Sequence, residues 1–153
     1  MSSTTKISVT APARLHMGFI DLSGSLGRHF GSIGIALNEI STRLTLRKAD
    51  QRCITGSSRQ RAERCLTQLC AVMAVSDRVS IHIEEAIPEH VGLGSGTQMA
   101  LAIGTALNAY YELGMTIREI ASVMDRGLRS GIGIGVFEYG GLVVDGGRGE
   151  KTV

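Results

Sequence analysis

The chain of 153 residues is 43% hydrophobic, which is enough to form one domain with a sizeable core. A net charge of +2 and an aromatic content of 4% argue against a nucleic-acid partner, which needs a basic surface and stacking side chains. No stretch is apolar enough for a membrane span or a signal peptide, and the three cysteines match no zinc spacing. We therefore expect a cytoplasmic protein that binds neither nucleic acid nor membrane and has no zinc site.

The beginning of the chain has the alternating pattern of β-strands. Residues 6–12 alternate between apolar and polar side chains and predict a first strand that ends at Pro12. In the segment 13–22, Arg14 and His16 fall on the same face if the chain is extended.

A glycine-rich segment, two more strands and a helix follow. The glycines between residues 23 and 32 indicate a loop with a defined shape rather than a solvated linker, and an apolar stretch, 33–37, comes after it. Residues 41–48 alternate as another strand, and residues 58 to about 74 have helical periodicity. The helix is predicted to bury Ala62, Cys65, Leu66, Leu69 and Met73. Its solvated face is predicted to carry Arg59, Arg61 and Arg64.

A strand, a glycine-rich loop and a helix follow one another at the centre of the chain. Residues 79–85 alternate strictly and predict a half-buried strand, and residues 99–107 are apolar at helical spacing. The loop between them, residues 88–98, has three glycines, which let the backbone approach a ligand because they lack a Cβ. The first N–H groups of a helix lack intrahelical partners and carry partial positive charge, so this loop can bind phosphate or pyrophosphate. A plain strand–turn–helix connection is the alternative, since neither the Walker A nor the Rossmann spacing is present.

The last third of the chain adds a helix, a second glycine cluster and a strand. Thr116 and Glu119 have the spacing of a capping box and predict a helix that stops near Gly127. The glycine cluster covers residues 129–135, and residues 142–145 predict a closing strand. In this order the elements indicate an α+β domain with its helices layered on one sheet.

The central loop has a family resemblance. Three residues separate Pro88 from residues 92–97, which read Gly-Leu-Gly-Ser-Gly-Thr. The whole segment closely resembles the second motif of the GHMP kinase superfamily, a loop that wraps nucleotide phosphates. Gly96 stands where that family usually has a second serine. The resemblance covers nearly the whole chain and implies a ribosomal-protein-S5-domain-2-like fold with a mixed sheet. It also implies one GHMP-type N-terminal domain over residues 1–153 without the family's C-terminal domain, so we expect the chain to be a fragment, a truncated gene product or half of a split enzyme.

A second glycine argues against the kinases of this superfamily that use a catalytic aspartate. In the segment Ser-Gly-Ile-Gly at residues 130–133, Gly133 stands at the position of that aspartate. Glycine cannot accept a proton from a substrate hydroxyl, so we do not expect a kinase of that type. The chain instead resembles a non-kinase branch, the β-ribofuranosylaminobenzene 5′-phosphate synthases. This likeness is carried by residues 13–22, 25–28, 129–133 and 140–147.

The branch resemblance implies a reaction, a cofactor and partners. Its members join phosphoribosyl pyrophosphate to 4-aminobenzoate or a hydroxylated relative, with loss of carbon dioxide and pyrophosphate, on the route to methanopterin. There are two alternatives. One is a GHMP kinase without a catalytic aspartate, and the other is a non-catalytic half-domain that binds a ligand or a partner. Mg²⁺ is a possible cofactor, and ATP is expected only for the kinase. The partners implied are a phosphorylated small molecule and either a second copy of the chain or a missing C-terminal half.

The candidate site residues fall into three sets. Phosphate binding is assigned to Gly92, Leu93, Gly94, Ser95, Gly96 and Thr97. Substrate binding is assigned to Arg28, Arg129, Ser130, Gly131 and Gly133. The catalytic candidates are Arg14, His16 and Asp21. Arg14 and Arg28 would bind the 5′-phosphate or the aryl carboxylate. His16 would take up a ring proton or orient the substrate, and Asp21 would hold His16 or a magnesium ion. The alternatives are a hydrogen-bonded core residue for His16 and a turn cap for Asp21.

Overall fold

The computed structural model describes residues 5–128 and 130–149 and has five strands and four helices in this part of the chain. The strands are β1 (Lys6–Asp21), β2 (Gly31–Lys48), β3 (Cys53–Gly56), β4 (Val79–Glu85) and β5 (Leu142–Asp145). The helices are α1 (Arg59–Met73), α2 (Ser95–Tyr110), α3 (Ile117–Val123) and α4 (Ile132–Tyr139). None of these helices is long and apolar enough to cross a membrane.

The strands form one mixed sheet with the order β1-β2-β4-β3, and β5 pairs with β2. β2 is antiparallel to β1, to β4 and to β5, whereas β3 and β4 run parallel. The main core lies between this sheet and the helices, as the α+β prediction requires. It includes Leu44, Leu46, Ile81 and Ile83 from the sheet, Leu66 and Leu69 from α1, and Met99, Ile103 and Leu107 from α2.

The predicted end of the first strand at Pro12 is wrong, because β1 continues to Asp21. β1 lies at the edge of the sheet, and its register with β2 shifts between Pro12 and Ala13. An edge strand with a bulge tolerates proline, since the missing N–H removes no bond of a regular ladder. The segments 33–37 and 41–48 likewise belong to one strand, β2.

β3 and α4 were not predicted. β3 has four residues, of which only Ile54 is buried, so it shows no alternation. α4 contains Gly133 and Gly135, which are poor helix formers. A Cβ on Gly135 would lie 2.8 Å from Val143 of β5, so the absence of a side chain lets α4 pack closely on the sheet. Tertiary packing therefore outweighs the low helix propensity of this segment.

The face of the sheet that α4 does not cover is apolar at one end. Leu15, Ile35 and Leu142 are paired across β1, β2 and β5 and therefore share one face. Ile33 and Val144 form the next pair on that face. Leu142 and Val144 are 64% and 61% exposed, so this end of the sheet leaves an apolar surface uncovered.

Candidate phosphate-binding site

The glycine-rich loop leads directly into α2, as predicted. Gly92 and Gly94 have φ values of +79° and +78°, which glycine adopts without strain, and Gly94 is the N-cap of α2. No side chain caps this helix. The N–H groups of residues 95–97 lie in its first turn and have no intrahelical acceptor. They are therefore available to an anion, which the helix dipole also favours.

Arg14 of β1 lies against this loop. Its backbone N–H donates to the Leu93 carbonyl oxygen at 3.0 Å, and its Nη1 donates to the Gly92 carbonyl oxygen at 3.3 Å. A Cβ on Gly94 would lie 2.9 Å from Cγ of Arg14, so the glycine permits this packing. Burial lowers the pKa of Arg14 from its ordinary value. We call residues 92–97, the phosphate-binding candidates, the phosphate loop. The structure therefore brings the catalytic candidate Arg14 into contact with this loop.

Arg61 of α1 also reaches the loop, and its assignment to a solvated face is wrong. Its Nη1 donates to Oγ of Ser95 at 2.8 Å, and its Nη2 forms a 2.8 Å ion pair with Glu89. Only 17% of its side chain is exposed. Arg59 and Arg64 on the same helix are exposed, as predicted. A sequence signal exists, since Arg61 is next to buried Ala62 and stands four residues before buried Cys65.

Arg126, after α3, was also missed. A Cβ placed on Gly96 would lie 3.6 Å from Nη1 of Arg61 and 3.9 Å from Nη1 of Arg126. The Nε atom of Arg126 is buried and has no hydrogen-bond partner in the described part of the protein. Nothing in the sequence around Arg126 indicates this position, because the turn after α3 is what brings it to the loop.

Gly133 lies beside the first turn of α2. A Cβ on Gly133 would lie 3.1 Å from Cγ2 of Thr97, which is tighter than ordinary side-chain packing. The fully buried Gln98 donates from Nε2 to the Gly133 carbonyl oxygen at 2.8 Å. The position that holds an aspartate in some GHMP kinases is therefore closely packed against the phosphate loop and carries no carboxylate.

The other predicted substrate-binding residues of this segment face different neighbours. Oγ of Ser130 is 2.7 Å from Oγ of the buried Ser32. The Gly131 N–H donates to Oδ2 of Asp145 at 2.6 Å. Arg129 lies outside the described residues. Ser130 and Gly131 thus fix the start of α4 to the sheet.

His16 is held as a neutral imidazole near Arg14. Its Nδ1 accepts a 3.2 Å hydrogen bond from the Gly18 N–H, so the proton of the neutral ring lies on Nε2. This Nε2 is buried and has no partner among the described residues. Burial, and then the positive charge of Arg14, lower the pKa of His16. The ring packs against Phe19 with 4.8 Å between centroids, and its unpaired Nε2–H is available as a donor.

Asp21 caps the loop that follows β1, which is the alternative that the sequence left open. Its carboxylate accepts hydrogen bonds from the backbone of Gly24 and Leu26 and from the Ser23 hydroxyl, at 2.8 to 3.0 Å. These bonds lower the pKa of Asp21 to about 2. Within residues 5–128 and 130–149, the hydrogen bonds of Asp21 all stay inside its own loop, and none reaches His16.

Arg28 fastens the same loop to the segment after β5. Its Nε donates to the Gly146 carbonyl oxygen at 2.8 Å, and its Nη2 donates to the Gly147 carbonyl oxygen at 2.7 Å. The structure therefore does not bring Arg28 into hydrogen-bond contact with the phosphate loop. Across the described ranges no group of three or more histidine, cysteine, aspartate or glutamate side chains could hold a metal ion. A magnesium ion would take most of its ligands from phosphate and water here.

An open cavity of about 760 Å³ lies between α3, α4 and β5. Arg126 contributes to its wall, as do Gly131 and Asp145. Tyr139, Leu142 and Val144 supply an apolar side to the same cavity. Arg126 thus lies between this cavity and the phosphate loop.

A strand that leads through a glycine loop into a buried helix, with basic side chains around the loop, is an arrangement typical of phosphate-binding domains. Residues 60–141 match the family model for the GHMP kinases N terminal domain, which is more than half of the chain. The chain belongs to this family. Its fold is similar to that of solved structures: it superimposes on the mevalonate kinase of Methanococcus jannaschii with a TM-score of 0.67, at 13% identity, over 97% of this chain and 56% of that one.

Three of the curated relatives that this chain matches carry the name beta-ribofuranosylphenol 5′-phosphate synthase. The one from Archaeoglobus fulgidus is 39% identical over 147 residues, which is 95% of this chain and 46% of the relative. The one from Methanocaldococcus jannaschii is 38% identical over 154 residues, which is 92% of this chain and 47% of the relative. The resemblance to the non-kinase branch is confirmed. The chain spans about half the length of these relatives.

Proposed function

We propose that this domain supplies the phosphate-binding half of a phosphoribosyltransferase that makes a C-riboside with loss of carbon dioxide and pyrophosphate. The observation that carries the proposal is the packing of Gly133 against Thr97, which leaves a phosphate loop with no carboxylate at the position of a kinase base. The names of the synthase relatives support the same reaction. They also favour a phenolic acceptor such as 4-hydroxybenzoate over 4-aminobenzoate.

The reaction needs charge stabilisation more than it needs a base. The bond between C1 of ribose and the pyrophosphate oxygen breaks, and its electron pair leaves with pyrophosphate. The ring carbon that bears the carboxylate then bonds to C1, and the carbon dioxide that departs returns its bonding electrons to the ring. No proton leaves the ring carbon in this sequence, so the groups that matter are those that bind pyrophosphate and position the acceptor.

The chain's residues are assigned to these tasks as follows. The N–H groups of residues 95–97 bind pyrophosphate, and Arg14 adds a charged donor beside them. His16 orients the acceptor by donating from its Nε2–H to the acceptor carboxylate. A ring nitrogen that already carries a proton suits this role better than it suits the uptake of a proton. Asp21 and Arg28 shape the loop over the acceptor. Magnesium, where bound, would screen the charge of the pyrophosphate.

The apolar end of the sheet supports a further part of the proposal, an assembly partner. Leu142 and Val144 are more than half exposed beside Leu15 and Ile35. Exposed apolar patches of this kind mark interaction surfaces. We propose that a second copy or a C-terminal half of the kind found in the longer relatives covers them, in a cytoplasmic enzyme of methanopterin biosynthesis. Light scattering at micromolar concentration and the binding of a hydrophobic dye test this proposal. A monomer that does not bind the dye would contradict it.

The reaction is tested with the two candidate ligands. Calorimetry should detect weak binding of phosphoribosyl pyrophosphate to the 153-residue chain, with little synthase turnover, because a half-open cleft admits water and weakens charge interactions. Supplying the C-terminal half of a synthase relative should restore release of pyrophosphate and carbon dioxide. In that complete enzyme, Arg14→Ala should remove most product formation while the fold persists. Tight ATP binding without affinity for phosphoribosyl pyrophosphate would instead favour the kinase.

A further inference from the structure

Three arginines from three separate parts of the chain lie around the start of α2. We call Arg14, Arg61 and Arg126 the arginine cluster. Arg14 of β1 bonds to the loop at Gly92, Arg61 of α1 bonds to Ser95, and Arg126 follows α3. The guanidinium groups of Arg61 and Arg126 both lie within 4 Å of the Cβ position on Gly96. The cluster is thus built by the tertiary fold and not by one basic segment of sequence.

The charge of this cluster is not balanced within the described protein. Glu89 is the one carboxylate that forms an ion pair with the cluster in the described residues, and it pairs with Arg61. The N-terminus of α2 carries a partial positive charge of its own. Like charges that are half-buried repel one another more strongly than charges in water. Burial already lowers the pKa of Arg14. An anion that binds among the three arginines would therefore remove this electrostatic repulsion.

Gly96 borders the guanidinium groups of both Arg61 and Arg126, at distances of ordinary van der Waals contact. A Cβ here would touch both guanidinium groups, and a longer side chain would occupy the space beside them. Glycine keeps this space open, so that an oxygen of a ligand can reach both groups. The buried Nε of Arg126 is an unused donor in the same region. One guanidinium group can bind two phosphate oxygens at once. Two such groups therefore suit the several oxygens of a diphosphate.

We propose that Arg61 and Arg126 are the specificity-determining residues of the loop, and that they select a diphosphate group by binding its oxygens over Gly96. The identity of the diphosphate as the leaving group of phosphoribosyl pyrophosphate rests on the proposed function. The role of the two arginines does not, because it follows from the geometry around Gly96. Arg14 serves the loop from the other side, and Glu89 holds Arg61 in place.

The test uses inorganic pyrophosphate, inorganic phosphate and three variants of the 153-residue chain. Arg61→Met and Arg126→Met each remove one guanidinium, and Arg64→Met is the matched control, with the same charge loss on the exposed side of α1. By calorimetry, the first two variants should weaken pyrophosphate binding at least about tenfold, and the control less than about threefold. Pyrophosphate should bind the unmodified chain more tightly than phosphate does.

A thermal readout separates ligand binding from a structural role. If Arg61 and Arg126 only support the fold, their replacement lowers the melting temperature. If they are held for an anion, Arg126→Met leaves the melting temperature of the ligand-free chain unchanged or raises it, and removes the increase that pyrophosphate gives. Equal pyrophosphate binding by Arg126→Met, Arg61→Met and Arg64→Met would overturn the inference.

The same measurements distinguish failure of this inference from failure of the proposed function. If ATP binds, phosphoribosyl pyrophosphate does not, and the two variants lose ATP binding, then the arginines bind linked phosphates but the reaction is a different one. If phosphoribosyl pyrophosphate binds the unmodified chain and both variants equally, the proposed reaction is still supported and the proposed role of the two arginines is wrong.

Discussion

Gly34 of β2 lies directly beneath Ile132, the first residue of α4, with no room for a side chain between them. A Cβ on Gly34 would collide with Cγ2 of Ile132 and would lie 2.9 Å from the Leu15 carbonyl oxygen. This contact sets how closely α4 approaches the sheet. It therefore also sets where Gly133 meets the phosphate loop.

Replacing Gly34 with alanine should destabilise the fold. Forcing a methyl group into a filled space typically costs about 1–3 kcal/mol, and α4 would have to move away from the sheet. Urea unfolding followed by circular dichroism measures the loss. Gly146→Ala is the control, because a Cβ there meets nothing within 4 Å. Equal stability of the two variants would contradict this packing.

The capping box of α3 should have a measurable effect on stability. Thr116 Oγ1 accepts from the Glu119 N–H at 3.2 Å, and the Glu119 carboxylate accepts from the Thr116 N–H at 2.7 Å. Thr116→Ala should lower the free energy of unfolding by about 1 kcal/mol, because the N–H of Glu119 loses its acceptor. Ser122→Ala, at an exposed position of the same helix, should change it by less than half as much.

His16 should titrate below its ordinary pKa of 6.5. Burial is the larger cause and the charge of Arg14 the second, so Arg14→Met should raise the His16 pKa part of the way back. Two-dimensional NMR of the imidazole resonances measures both values. Because protonation is disfavoured in the folded state, the contribution of His16 to stability is present at neutral pH and falls as the pH drops below 6.5. A His16 pKa that does not change in Arg14→Met would show that the two groups do not interact.

Asp21 should remain ionised far into acid. Its pKa is lowered from 3.8 to about 2 by hydrogen bonds from its loop, chiefly from Leu26. The stabilisation is therefore present above pH 3.8 and is lost as the pH falls from 3.8 to about 2. NMR of the side-chain carboxyl carbon gives the pKa directly. Asp21→Asn should loosen residues 23–26, seen as faster amide exchange, whereas Asp50→Asn, at an exposed turn, should not.

Local sequence determined the parts of this protein whose signals lie within a few residues of one another. The alternation in residues 79–85, the glycines before α2 and the Thr116–Glu119 pair each fixed an element at nearly its observed position. The motif at residues 92–97 and Gly133 were sufficient to indicate the family and to argue against a kinase base. These features are readable because strand period, helix caps and close backbone approach depend on residue types at short spacing.

The tertiary structure alone decided which distant residues share the site. Arg61 is predicted to be solvated when α1 is considered alone, and its side chain becomes mostly buried because α1 packs beside the start of α2. α4 forms although its glycines disfavour a helix, because Gly133 and Gly135 allow contacts with α2 and β5 that no sequence window contains. Asp21 and Arg28 bind backbone groups of their loop and of the segment after β5, and not the phosphate loop. Packing energy and charge placement depend on neighbours that only the folded chain brings together.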